Sequence, residues 1–350
     1  MVKLAIDAAG GDFSYDTTVP ACLEAVQKNK DLTLVLYGNE EQIKSRMKEE
    51  VSQIEIVHSP RLIDMGEHDP IGEIRKNKDT SLVMVFQAVK DHTVDGVVTS
   101  GPTQCVIVAA HIVIRRIKGM KRVALCPNVP SFKETGAIML DVGANTDIKP
   151  EYILQYAEFA NIYAKEVKGI KNPKCYLLNI GTEPGKGRML EQETYELLKN
   201  STLNFCGNLE PKELLTSDAD IIITDGYTGN IAMKSFEGTA KAFGKALKEE
   251  IKASLGGKIG YLFMRKNLKR FQDRFSADKI GGANLFGVDG IVVKAHGGSS
   301  KEAFANAIDL AYKSVQKDIV NKMKQYLEAH PLAEVNDAKW EIVRNNSKKI

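Results

Sequence analysis

The chain has 350 residues, 43% of them hydrophobic and 27% charged, a balance that supports a full core and excludes disorder as the main state. Its best apolar run, residues 105–114, carries His111 and stops at Arg115-Arg116, well short of the ~20 apolar residues that span a bilayer. A formal net charge of +3 is too small to point to nucleic acid, and no nucleic-acid motif accompanies it.

In chain order, short β-branched runs alternate with longer helical stretches. The opening MVKLAIDAAGGD places an Asp seven residues in, so it is a strand and not a leader peptide, and a cytoplasmic protein is expected. Strands are predicted at 3–7, 33–38, 54–59, 96–100, 122–127, 137–142, 176–181, 221–224 and 291–294. Most are continuously apolar, as in strands covered on both faces. Helices are predicted at 17–29, 81–91, 103–117, 150–167, 191–200 and 301–316. This alternation predicts an α/β fold, a mostly parallel, doubly wound sheet between helical layers, with residues 1–330 as the working unit and 331–350 as a tail of unassigned role. The five cysteines, 22, 105, 126, 175 and 206, form no C-x-x-C pair and predict neither disulfides nor zinc.

One region breaks the rhythm. From Thr228 to about Ala277 two long helices follow each other without a strand, joined near Leu255-Gly256-Gly257, and their outer part, about 240–277, is expected to protrude as a hairpin. Residues 241–274 hold ten Lys or Arg against three Asp or Glu, a local +7. The second helix interleaves Tyr261, Leu262 and Phe263 with Arg265, Lys266, Lys269 and Arg270. That pattern suits a membrane surface or an acidic partner; equally, the apolar side packs on the body or in a dimer seam.

Small polar loops follow the strands, where open α/β sheets bind ligands. They contain Asp7, Gly10, Gly11 and Asp12; Ser100, Gly101 and Thr103; Asp141, Gly143 and Asn145; Asp225, Thr228, Gly229 and Asn230; and His296, Gly297 and Ser299. Repeated at one end of the sheet, with helices following, they predict a phosphate or carboxylate site. The loop GTEPGKGR at 181–188, with Gly181, Gly185 and Lys186, is phosphate-loop-like. Gly187 stands where a Mg²⁺-holding Ser or Thr would be, so the expectation is an anion cradle with Lys186 as its cation and no metal. No G-x-G-x-x-G follows a strand, which counts against a dinucleotide, and no cofactor is expected.

Six stretches in this order resemble the PlsX-type phosphate acyltransferases: AIDAAGGD (5–12), KNKDTS (76–81), LDVGANTDIKPE (140–151), LLNIGTEPGKG (177–187), TDGYTGNIAMKSFEGTA (224–240) and VKAHGGSS (293–300). The resemblance covers about residues 2–320. It implies an isocitrate-dehydrogenase-like α/β/α fold, a homodimer, and a peripheral place on the anionic inner face of the membrane. The implied reaction moves a long-chain acyl group from acyl carrier protein to inorganic phosphate, with Lys186 and Asn230 at the matching catalytic positions. His296 is a candidate for protonating the departing thiolate. The family's S-A-G-N-T-G-A loop reads Thr99-Ser100-Gly101-Pro102-Thr103-Gln104-Cys105 here; Pro102 suits a helix start. The alternatives are a phosphotransacetylase-like transferase using acyl-coenzyme A and a non-catalytic membrane recruitment factor.

Overall fold

The computed structural model describes residues 1–275 and 281–331, with side chains omitted for 272–275. The 331–350 tail therefore lies, Pro331 apart, outside the described residues, as do Ser276 and Ala277 at the end of the expected hairpin.

The described strands are β1 (Val2–Asp7), β2 (Leu32–Gly38), β3 (Ile54–His58), β4 (Gly96–Thr99), β5 (Ala124–Val129), β6 (Ala137–Leu140), β7 (Lys174–Leu178), β8 (Asn204–Leu209), β9 (Ile221–Ile223), β10 (Ala283–Phe286) and β11 (Ile291–Lys294). They form one sheet in the order β3-β2-β1-β4-β11-β10-β5-β6-β9-β7-β8. The first five are mutually parallel, and so are the last four. Between them β10 and β5 pair antiparallel with each other and with their outer neighbours. The parallel sheet expected from the sequence is thus two parallel halves that run in opposite directions. The sequence reading placed all the glycine loops at one end of the sheet, and this corrects it: they leave two edges that face each other.

The helices are α1 (Tyr15–Lys28), α2 (Glu40–Lys44), α3 (Pro70–Lys76), α4 (Ser81–Lys90), α5 (Thr103–Ala109, continued by a π-turn at Ala110–Ile114), α6 (Pro150–Glu166), α7 (Met189–Lys199), α8 (Gly226–Ala253), α9 (Leu255–Phe275), α10 (Lys301–Gln316) and α11 (Ile319–Ala329). The alternation of side chains along each strand sorts them into layers. Leu4 and Ile6 of β1 join a core with α1, α6 and α10. Ala5, with Val35 and Val97, joins a second core on the other face with α4 and α5. Pro102 is the residue before α5, and its carbonyl accepts from Val106 N–H at 3.0 Å, so the altered loop still starts a helix. The hairpin joint is Ser254, whose hydroxyl caps Gly257 N–H at 2.9 Å. Gly256 and Gly257, expected to be the turn, lie in the first turn of α9 because serine supplies the cap that glycine lacks.

Candidate active site where the two half-sheets meet

The register at the joint determines where the loops converge. Lys294, the last residue of β11, pairs with Ala283, which pairs with Pro127 of β5. Two residues back along β5, the Leu125 carbonyl accepts from Val142 N–H at 3.1 Å, just past the end of β6. The carboxyl ends of β11 and β6 therefore reach β5 from opposite directions and end almost level. A cleft of about 2010 Å³ opens there, with Thr103, His296, Gly298 and Ser299 on one wall and Gly143 and Asn230 on the other.

The first wall is built from Asp7. Its buried carboxylate accepts from Ser81 Oγ at 2.6 Å and Thr99 Oγ1 at 2.7 Å. Burial pushes its pKa up, opposed by the two hydroxyls and by the charge of Lys294. Ser100 Oγ donates to the Gly10 carbonyl at 2.9 Å, and Asp12 N–H to the Gly297 carbonyl at 2.9 Å. Gly11 sits at φ +88°, and a β-carbon there would lie 2.5 Å from Ser100 Oγ; only glycine lets the three loops close on one another. Gly101 N–H bonds Thr99 Oγ1 at 2.9 Å. Ser299 N–H returns to the His296 carbonyl, and Gly298 N–H donates to His296 Nδ1 at 3.1 Å. That bond leaves the ring proton on Nε2. Partial burial, then the charge of Lys234, keeps the His296 pKa below its ordinary value.

The second wall has a different construction. Asp141 is fully buried, and its carboxylate accepts from the backbone N–H of Leu125, Ala144 and Asn145 and from Asn145 Nδ2, at 2.7–3.1 Å. Burial pushes its pKa up to about 6 against those donors. Asp141 and Asn145, expected to bind substrate, are instead committed to each other and to the β6–α6 loop. Asp225 caps α8 through Thr228 N–H at 2.8 Å, accepts from Thr228 Oγ1 at 2.8 Å, and pairs with Arg188. Asp225 and Thr228 are therefore occupied with the helix start. Gly229 is required because a β-carbon would strike the Asp141 carbonyl. This close approach sets Asn230 against Gly143, at the cleft wall.

Lys186 lies elsewhere. Its side chain is 50% exposed, 3.9 Å from Glu183, and does not line the cleft. The loop carrying Gly181, Gly185 and Lys186 is tied to the start of α8 through Arg188, which bonds both Glu191 and Asp225. Arg188 was missed because it reads as an ordinary helix-start cation. Lys294 was missed as well, although a lysine ending the run Ile291-Val292-Val293 was a visible signal. It is 7% exposed and lines the cleft. Burial lowers its pKa to about 8, opposed by Asp7 and Asp12 and reinforced by Lys234.

The hairpin extends the cleft. On α8, Met233, Ala240, Gly244, Leu247 and Ile251 line it, and on α9, Tyr261, Arg265, Leu268 and Lys269 do. Leu262 and Phe263 are not among the lining residues and are 72% and 85% exposed. Lys266 and Arg270 are exposed too, so the residues expected to meet membrane or carrier protein divide between two faces of α9. Among the described residues no His, Cys, Asp or Glu cluster could hold a metal ion, and no helix is long and apolar enough to cross a membrane.

Two opposed half-sheets with a cleft at their joint make the fold of the phosphotransacetylases. A phosphotransacetylase from Streptococcus pyogenes aligns with a TM-score of 0.57 at 17% identity, over 91% of this chain and 94% of that one. A branched-chain phosphotransacylase from Enterococcus faecalis gives 0.54 at 13%, over 90% and 100%. The model of the family described as "Fatty acid synthesis protein" matches residues 2–322. Relatives named phosphate acyltransferase are 48% identical in Acholeplasma laidlawii and 44% in Staphylococcus aureus, each over 93% of this chain and 98% of the relative. The chain belongs to this family, the PlsX-type phosphate acyltransferases, and is an acyltransferase.

Proposed function

We propose that the protein transfers a long-chain fatty acyl group from acyl carrier protein to inorganic phosphate. The observation that carries this reading is the continuity of the cleft, polar at Asn230 and His296 and extended along α8 by Met233, Phe236, Phe243, Leu247 and Ile251, interleaved with lysines. At about 2010 Å³ it is larger than the ~300–1,000 Å³ of ordinary small-ligand pockets, which suits phosphate and a fatty chain held together.

A phosphate oxygen attacks the thioester carbonyl carbon, the C–S bond breaks, and the products are acyl phosphate and the carrier thiol, which takes up one proton. Phosphate is already an anion and a thiolate leaves readily, so the protein's main tasks are to position the reactants and stabilise the oxyanion. Asn230 Nδ2 at the cleft wall suits the oxyanion. The neutral His296 ring, with its proton on Nε2, supplies a second hydrogen-bond donor to the oxyanion or the leaving sulfur, and the proton taken up by the thiolate comes from the hydrogen phosphate or from solvent. Lys186 serves as a second, outer cation on a loop that Arg188 ties to the same helix. The +7 stretch on the hairpin offers an acidic carrier protein a docking surface, the outward Leu262 and Phe263 suit peripheral contact with an anionic membrane, and the exposed hairpin suits pairing in a homodimer.

Incubating the pure protein with phosphate and either palmitoyl-carrier protein or acetyl-coenzyme A tests the reading. Acyl phosphate from the first donor is expected. Product from acetyl-coenzyme A alone would favour the phosphotransacetylase-like alternative, and no product from either would favour a recruitment factor.

A further inference from the structure

We propose that Lys294 is the cation that holds the phosphate substrate at the floor of the cleft. This rests on the reading that the cleft is where acyl groups pass to phosphate. The side chain ends β11, the strand that pairs with β4 on one side and β10 on the other, so it projects from the centre of the sheet where the two halves meet. Its Nζ donates to two neutral acceptors, the carbonyl of Ala295 and, at 3.4 Å, that of Ser100. Among the described residues no ion pair is made to it. Asp7 and Asp12 act on it through space, but the Asp7 oxygens are taken by Ser81 and Thr99.

A buried ammonium ordinarily needs a charged partner, because the carbonyls of two peptides offset only part of its lost hydration. Here the third N–H is left over, and the side chain lines the cleft beside His296 and Ser299. Lys234 adds positive charge from α8. An oxyanion in the cleft would complete the coordination of Lys294 and neutralise it. Lys186, half exposed and outside the cleft, has no comparable unmet need.

The alternative role is structural, with Lys294 pinning the loops at Ser100 and Ala295. The two roles separate by stability. Removing a lysine that pins loops lowers the melting temperature of the phosphate-free protein. Removing a buried charge that lacks its ion leaves stability unchanged or raises it.

The test compares the full chain with Lys294→Met, Lys294→Arg and Lys186→Met, using inorganic phosphate as the probe in thermal melts and steady-state kinetics. Phosphate should raise the melting temperature of the wild type and of Lys186→Met but not of Lys294→Met. The KM for phosphate should rise about a hundredfold in Lys294→Met, the scale of losing one partner of a buried charge pair, with the KM for the acyl donor little changed. The wild-type kcat/KM for phosphate should fall as pH rises through about 8, the lowered value for Lys294, whose charge is acted on by Asp7, Asp12 and Lys234. In Lys294→Arg that limb should move out of range, since guanidinium does not deprotonate. A wild-type phosphate shift in Lys294→Met, or no shift in the wild type, overturns the proposal. If Lys294→Met fails to fold, an unmoved basic limb in Lys294→Arg does so. A wild type that binds phosphate through Lys294 yet forms no acyl phosphate would overturn the functional reading and leave the anion site standing.

Discussion

Two aspartates end two strands on opposite sides of the cleft, and they do different work. Asp141, after β6, collects four N–H donors and has no cation among its partners. Asp7, ending β1, collects two hydroxyls and faces the buried Lys294. Backbone donors are fixed in direction, so Asp141 locks a loop in place. Hydroxyls rotate, and a carboxylate near a buried ammonium tunes charge. Asp141 is framework, and Asp7 stands beside the charge proposed to meet phosphate.

The largest expected effect tests that division. Asp141→Ala strands the N–H groups of Leu125, Ala144 and Asn145, each costing ~1–3 kcal/mol when buried without an acceptor. A loss of about 3–5 kcal/mol follows, read in a 350-residue chain as a fall in the melting temperature of about 4–7 °C. Asp7→Asn leaves hydroxyls that can turn to suit an amide, so its stability loss should be about 1 kcal/mol, while kcat/KM for phosphate drops further than stability does. Equal destabilisation by both, with phosphate KM untouched in Asp7→Asn, would erase the distinction.

Next come the residues proposed to act on the reacting groups. Asn230→Ala should lower kcat by about a hundredfold with the fold intact, the scale of one lost oxyanion donor. Lys186→Ala, on a loop outside the cleft, should cost at least about tenfold, the lower end for a charge-assisted contact. Purified variants assayed for acyl phosphate decide both; wild-type turnover in either removes that residue from the mechanism.

Much of this was legible in the sequence, and the limits are physical. The strands β1, β2, β4 and β11 are mostly apolar runs and stood out. β8 did not, because Asn204, Gly207 and Asn208 interrupt it, and β10 is a four-residue strand opening on Ala283 and Asn284. Without β10 the antiparallel joint was invisible, since it pairs with β5, about 160 residues away in sequence. Asp7 and Asp141 look alike in sequence, each an Asp near Gly after an apolar run; only the fold says which donors reach them. His296 drew attention as the titratable group of VKAHGGSS, although Lys294 is the buried one.

The hairpin sharpens the comparison from outside the cleft. Replacing Leu262 and Phe263, both largely exposed, with Glu should abolish binding to anionic vesicles and leave turnover on soluble acyl donor intact. Each Lys or Arg near such a surface contributes about 1 kcal/mol, screened within ~8 Å at physiological salt. Wild-type binding should therefore weaken as salt rises. Co-sedimentation beside size-exclusion chromatography reads the result, and a variant that unfolds or changes oligomeric state would mark these residues as seam or core.

The smallest effect concerns the charge between the walls. In the proposed reaction His296 acts as a neutral ring, with Nδ1 taking the Gly298 N–H, so activity should be lost as pH falls through its pKa. That pKa lies below the ordinary 6.5, first through burial and then through Lys234, with Lys294 and Lys241 adding to the push and Glu237 opposing it. Lys234→Met removes one repulsion and also frees Glu237, its ion-pair partner at 2.9 Å. Both changes favour the imidazolium, so the acid limb of kcat/KM should move up by a few tenths of a pH unit, the size of a screened surface interaction. Added salt should move the wild-type limb the same way and the variant's less. A limb that stays put in Lys234→Met belongs to some group other than His296.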